Sequence, residues 1–216
     1  MAEVFVVIVV QTILLLFLQF GKTLLPSNFV ARKACHAGSG LLMLLLNSRD
    51  VVARFFVYSV VFVSLGMTWK WFPSWVPVFR FGGLYDSGIT IYLVIVCFWF
   101  YCQQPSVALA PLFFADPAGA IFGKLFSNQG INKVWWENKT VVGTLAVFFV
   151  AFLALDIPVF APRLCVASLC ALGEAFGGRT YDNAVIAIPA LGSWLWFHGW
   201  ATGAETTSSI AEMLGI

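Results

Sequence analysis

The chain has 216 residues, 61% of them hydrophobic, and carries only 12 Lys or Arg and 10 Asp or Glu, for a net charge of +2. Water-soluble domains keep about a quarter of their residues charged, so a soluble globular enzyme is excluded; so is a nucleic-acid binder, because no basic run is present. The long apolar runs lack the two-residue alternation of a transmembrane β-barrel, and five cysteines at 35, 97, 102, 165 and 170 form neither a CxxC motif nor a disulfide framework.

The pattern predicts an all-α protein, a polytopic transmembrane helical bundle of seven or eight segments forming one integral-membrane domain over 1–216. The segments fall at 4–20, 35–47, 55–69, 84–102, 107–122, 141–156, 164–174 and 184–200. Several are about long enough for the roughly 17–25 residues that crossing a bilayer takes. The first has no basic residues ahead of it and contains Gln11, so it reads as a retained helix and not as a signal peptide. The second and seventh look too short to span alone, so their ends are expected to line a cavity. Between the third and fourth, 69–81 is rich in Trp and Pro and reads as an interfacial stretch. The segment 202–216 is a small, polar tail.

Counting charges by side orients the bundle. Loops 21–34, 70–83, 123–140 and 175–183 hold nine of the twelve basic residues: Lys22, Arg32, Lys33, Lys70, Arg80, Lys124, Lys133, Lys139 and Arg179. That side is expected to be cytoplasmic, because short cytoplasmic loops collect Lys and Arg. The polar clusters inside the apolar segments open toward it too.

Those clusters are the candidate site, because a charge in hydrocarbon needs a partner, a cavity or a function. Arg32, His36 and Gly40 share one helical face beside Lys33. A guanidinium next to an ammonium suits a polyphosphate, although a basic pair that only sets topology reads the same. Asp116 heads a stripe with Gly119, Ala120 and Gly123 at i, i+3, i+4 and i+7, along which a ligand or a neighbouring helix can approach closely. Pro117 follows the Asp and interrupts the helix ladder. Lys139 and Thr140 stand at a helix start, where free N–H groups favour anions; as the bland alternative, Thr140 is an N-cap and Lys139 a snorkelling anchor. Glu174, Asp182 and Asn183 flank a Gly177-Gly178 loop, and with Asp116 supply the hard oxygen donors that Mg²⁺ selects. Alternatively, Glu174 pairs with Arg179 and Asp182 or Asn183 caps the last helix. His198, Asp86, Asp156 and Arg163 lie near segment ends and read as interfacial.

Taken together, Arg32-Lys33-x-x-His36, Ala115-Asp116-Pro117-Ala118-Gly119-x-x-x-Gly123, Lys139-Thr140-x-x-Gly143-Thr144 and Glu174…Asp182-Asn183 resemble the CTP-dependent lipid kinases of the phosphatidate cytidylyltransferase-like superfamily. These include phytol and farnesol kinases, dolichol kinase and CTP-dependent diacylglycerol kinase. The resemblance runs over about residues 30–190 and makes that stretch the catalytic core. Val142 and Thr144 stand where family members often carry Glu and Ser.

The resemblance implies transfer of the γ-phosphate of CTP to a membrane lipid alcohol, an isoprenoid alcohol or diacylglycerol, with Mg²⁺ held by Asp116, Glu174 and Asp182. It implies that Arg32, Lys33, His36, Gly119, Gly123, Lys139, Thr140 and Asn183 contact nucleotide and phosphate, and that Asp116, Lys139 and Asp182 are catalytic. The implied location is the endoplasmic reticulum membrane, with a plastid envelope or a bacterial inner membrane as alternatives. The expected partners are CTP, the lipid and the bilayer; self-association stays open. Phosphatidate cytidylyltransferase is the nearest competing activity, and a non-enzymatic transporter the competing class. A transporter is disfavoured because the acids gather at one face and no repeat is visible.

Overall fold

A computed structural model describes residues 2–25, 27–76, 78–80, 82–127, 132–178 and 180–200. Arg179 and the tail 202–216 lie outside them. Eight α-helices form where eight apolar segments are expected: α1 Ala2–Phe20, α2 Asn28–Leu44, α3 Val51–Thr68, α4 Ser87–Tyr101, α5 Ala110–Ser127, α6 Val141–Ala154, α7 Phe160–Phe176 and α8 Asp182–His198. The sheet among the described residues is one antiparallel hairpin, β1 Val134–Trp136 with β2 Lys139–Thr140. By length and composition α3 and the stretch Ser106–Ser127 can each cross a membrane; the apolar helices Val4–Phe20, Ser87–Tyr101 and Val141–Ala154 are shorter.

Two segments begin earlier than expected, and α2 and α7 each run 17 residues; for α2 the reason is its N-cap. Arg32 and Lys33 looked like loop, yet they sit inside α2, which starts where Ser27 Oγ accepts from the N–H of Val30. A capped first turn tolerates polar side chains that a hydropathy window discards. Asp50, Asp86 and Thr140 cap α3, α4 and α6 in the same way, each accepting from a backbone N–H of the first turn.

The chain divides into two compact units, with the break after Ser106. In the first, α1 packs on α2 and on α3, and α3 packs on α4. Arg80 ties the α3–α4 connection to the α1–α2 connection: Nη1 donates to the Leu18 carbonyl at 3.2 Å, Nε to Asn28 Oδ1 at 3.1 Å, and Nη2 to the Leu25 carbonyl. The last carbonyls of a helix need such donors. Ser106 does the same for the far end of α2, donating to the carbonyls of Leu44 and Leu46.

In the second unit α5 packs on α6, α6 on α7, α7 on α8, and α8 back on α5, closing a ring of four helices. Its interior is built largely from small residues: Ala115, Ala151, Ala167, Cys170, Ala171 and Ala190 are all buried. Large apolar side chains point outward instead. On α6, Gly143, Val147 and Ala151 face in, while Val141, Leu145, Phe149 and Leu153 face out at four-residue spacing, Leu153 being 79% exposed. At the α8 end of the ring His198 stacks on Trp194 and its Nε2 meets the Asp156 carbonyl at 2.8 Å.

Candidate functional site

The polar end of the second unit is set by a close approach of two helices. A Cβ placed on Gly119 would lie 2.4 Å from Val147 Cγ2, and one on Gly143 would lie 2.9 Å from the Gly119 carbonyl oxygen. One on Gly123 would meet Thr140 Oγ1 at 2.9 Å. The glycine stripe of α5 is thus filled by α6, and Gly119 and Gly123 do not open onto space for a nucleotide or lipid head as expected. Small residues let the two backbones meet, which is their usual use between apolar helices.

Asn132, in the connection between α5 and α6, bonds to both helices: Nδ2 donates to the Gly123 carbonyl at 3.1 Å and Oδ1 accepts from the Val142 N–H at 3.0 Å. One side chain thereby satisfies an orphan donor at the start of α6 and ties it to the last turns of α5. No spacing rule singled out Asn132 in the sequence. The hairpin then delivers Thr140, whose Oγ1 accepts from the Gly143 N–H at 3.2 Å, and Lys139, whose Nζ donates to Glu174 Oε1. The alternative reading of Thr140 as an N-cap is seen, while Lys139 is drawn inward to a carboxylate and does not snorkel outward.

Glu174 is 6% exposed near the end of α7. The α7–α8 connection turns tightly beside it, since a Cβ on Gly177 would sit 2.7 Å from Val185 Cγ2 and 3.3 Å from the Asp182 nitrogen. Asp182 opens α8 and accepts the Asn183 N–H at 2.9 Å, so it serves the helix start, where a negative charge is favoured. Asn183 and Asp116 are both buried, Asp116 on the α5 face that bears Gly119.

The arrangement does not assemble the expected metal set. Among the described residues no three His, Cys, Asp or Glu side chains stand together as a metal-holding group. Glu174 is committed to the Lys139 ammonium, and Asp182 turns back on its own helix start. Asp116, Glu174 and Asp182 as placed do not fit a shared Mg²⁺.

The first unit redirects the basic motif as well. Arg32 forks onto Asp86, Nη1 to Oδ2 at 2.7 Å and Nη2 to Oδ1 at 3.3 Å, and His36 meets Tyr92 edge-on at 4.4 Å between ring centroids. Arg32 was expected to take phosphate and Asp86 to be merely interfacial; the structure pairs them, across 54 residues of sequence. Burial alone would push the Asp86 carboxyl up, but the Arg32 fork and the N–H groups of Ile89 and Gly83 outweigh it and hold the group below its ordinary value. A lowered carboxylate stabilises the fold above its ordinary value, and that contribution is lost as pH falls through the lowered one. Asp86→Asn is therefore expected to flatten the acid side of a thermal-stability profile measured in detergent; an unchanged acid limb would contradict the pairing.

No family model, curated protein or solved structure matches the chain. The geometry therefore has to carry the functional reading. It offers an ammonium, a hydroxyl, two carboxylates and an amide at one end of a four-helix ring whose outer surface is apolar.

Proposed function

We propose that the chain is a multi-pass membrane enzyme that moves the γ-phosphate of CTP onto the hydroxyl of a membrane lipid. The observation that carries this reading is the meeting of Lys139 with Glu174 at the polar end of the second unit, 35 residues apart in sequence. The outward rows of large apolar side chains support a lipid surround, since water-soluble monomers rarely expose apolar patches beyond a few hundred Å².

Phosphoryl transfer needs positioning and charge neutralisation more than covalent help. The Lys139 side chain keeps 23% of its surface open while Glu174 keeps 8%. An incoming triphosphate competes for that ammonium from the open side. Lys139 and Thr140 hold phosphate, and Asp182, partly exposed at the start of α8, receives the proton of the lipid hydroxyl. The hydroxyl oxygen attacks the γ-phosphorus, the bond to the bridging oxygen breaks, and CDP leaves with its electron pair. Asp116, buried on the α5 face that bears Gly119, is the second carboxylate this reading assigns to the reaction. An isoprenoid alcohol or diacylglycerol in the endoplasmic reticulum membrane is the acceptor class this reading favours, reached from the cytoplasmic side.

Purified protein given γ-labelled CTP, Mg²⁺ and phytol, farnesol, dolichol or diacylglycerol is expected to label at least one of these lipids. Asp182→Asn and Asp116→Asn are each expected to slow that transfer about a hundredfold, the loss typical of a missing acid–base or charge-stabilising group. Transfer at wild-type rate in both variants would contradict the assignment.

A further inference from the structure

The hairpin that carries Lys139 has a surface the kinase reading does not use. Every residue of 133–138 is exposed, and the strand presents Val134, Trp135 and Trp136 together. Phe176 at the end of α7 joins them, its ring 5.8 Å from Trp135 and 5.1 Å from Trp136, both edge-on. Trp135 is oriented further by Nε1, which donates to Thr144 Oγ1 at 2.9 Å. A two-stranded hairpin is at best marginally stable by itself in water, and an exposed apolar strand edge invites aggregation. This one is pinned at both ends, yet keeps three large rings on the outside.

Its neighbours say what covers it. The outward row of α6 begins at Val141, the residue after β2, and continues through Leu145, Phe149 and Leu153. The aromatic cluster therefore stands at the head of an apolar stripe. Lys133, the residue before β1, is exposed, and Glu137 stands at the hairpin tip. Aromatic rings with a polar edge, placed between an apolar stripe and mixed charges, suit the boundary between headgroups and acyl chains.

We infer that the hairpin Val134–Thr140, with Phe176, is a membrane-interface anchor whose occupant is the lipid headgroup layer itself. Trp136 pairs with Lys139 across the hairpin, so seating the indoles at that depth also sets the depth of the Lys139–Glu174 pair, where the hydroxyl of a membrane lipid lies. The inference rests on the membrane reading above and needs no nucleotide.

The test uses the full chain in dioleoylphosphatidylcholine vesicles and in matched vesicles brominated either near the headgroup or near the chain ends. Emission of the wild type minus that of Trp135→Phe/Trp136→Phe isolates the two hairpin indoles among nine tryptophans; Trp136→Phe alone serves if the double variant does not reconstitute. The expected result is a difference emission that loses most of its intensity with bromine near the headgroup and less with bromine at the chain ends. Difference emission quenched by aqueous acrylamide and by neither bromine would put the hairpin in water, open to a protein partner, and would overturn the inference while the total emission still reports membrane insertion. Total emission insensitive to every brominated lipid would overturn the membrane reading and the anchor together.

Discussion

Replacing Lys139 by methionine is expected to destabilise the protein by about 3 kcal/mol, the lower end of the cost of stripping one partner from a buried ion pair. The cost arises on the other side of the pair. Glu174 is nearly inaccessible, and without the ammonium its carboxylate keeps neither water nor a counter-charge. The reverse change is milder. Glu174→Gln leaves a lysine on a flexible stem that is already partly open, and it can extend its ammonium to water; about 1 kcal/mol is expected. The double variant Lys139→Met/Glu174→Met is expected to regain most of the loss, because two apolar chains pack without an uncompensated charge. Thermal unfolding of all four proteins in the same detergent measures the cycle. Equal losses in both single variants would contradict the expected asymmetry, and a double variant as unstable as their sum would contradict the pairing.

The second large effect is expected at the α5–α6 seam. Gly143→Val should cost about 3 kcal/mol, the upper end for inserting atoms into a packed interface, because the added Cβ meets the backbone carbonyl of Gly119, which cannot rotate away. Gly119 behaves differently. Its missing Cβ is opposed by a side-chain methyl of Val147 at 2.4 Å, so Gly119→Ala should be destabilising alone and largely rescued by Val147→Ala. Rescue at position 119 with none at 143 is the signature of glycines that serve helix contact. If Gly119→Ala instead left stability intact and abolished transfer, the stripe would be a ligand surface after all.

Much of the helical framework was legible because long apolar runs leave few alternatives, and among the described residues eight helices form in the eight regions read from them. The errors fell where polarity stood in for structure. Arg32 and Lys33 look like a connection but ride in α2, since a Ser27 cap lets a helix begin well before its apolar part. The hairpin was not read at all: Val134, Trp135 and Trp136 are strand-prone, yet three residues are too few for a period to show. Glu137, which turns it, adopts a φ of 41°, a conformation that points to Gly or Asn and gives no warning when a glutamate takes it.

The candidate site was legible as a set of residue types and not as a set of contacts. Lys139, Thr140, Glu174 and Asp182 were singled out as costly in an apolar chain, and the second unit gathers them at one end. Who pairs with whom is a tertiary fact. Arg32 of α2 with Asp86, the cap of α4, and Lys139 of β2 with Glu174 of α7 each join different elements, at separations of 54 and 35 residues. Local spacing could not choose between phosphate and carboxylate as partner for either cation, nor could it foresee that Lys139 would neutralise one of the three carboxylates assigned to Mg²⁺.

Doubly labelled CTP follows the transferred phosphate itself. The full chain in vesicles containing the lipid alcohols is given CTP with one isotope in the α-phosphate and another in the γ-phosphate. The γ isotope alone is expected to enter the lipid, with CDP released in equal amount. The α isotope in the lipid would mean cytidylyl transfer, and neither isotope in any lipid would mean that no such transfer occurs; either result contradicts the proposed reaction.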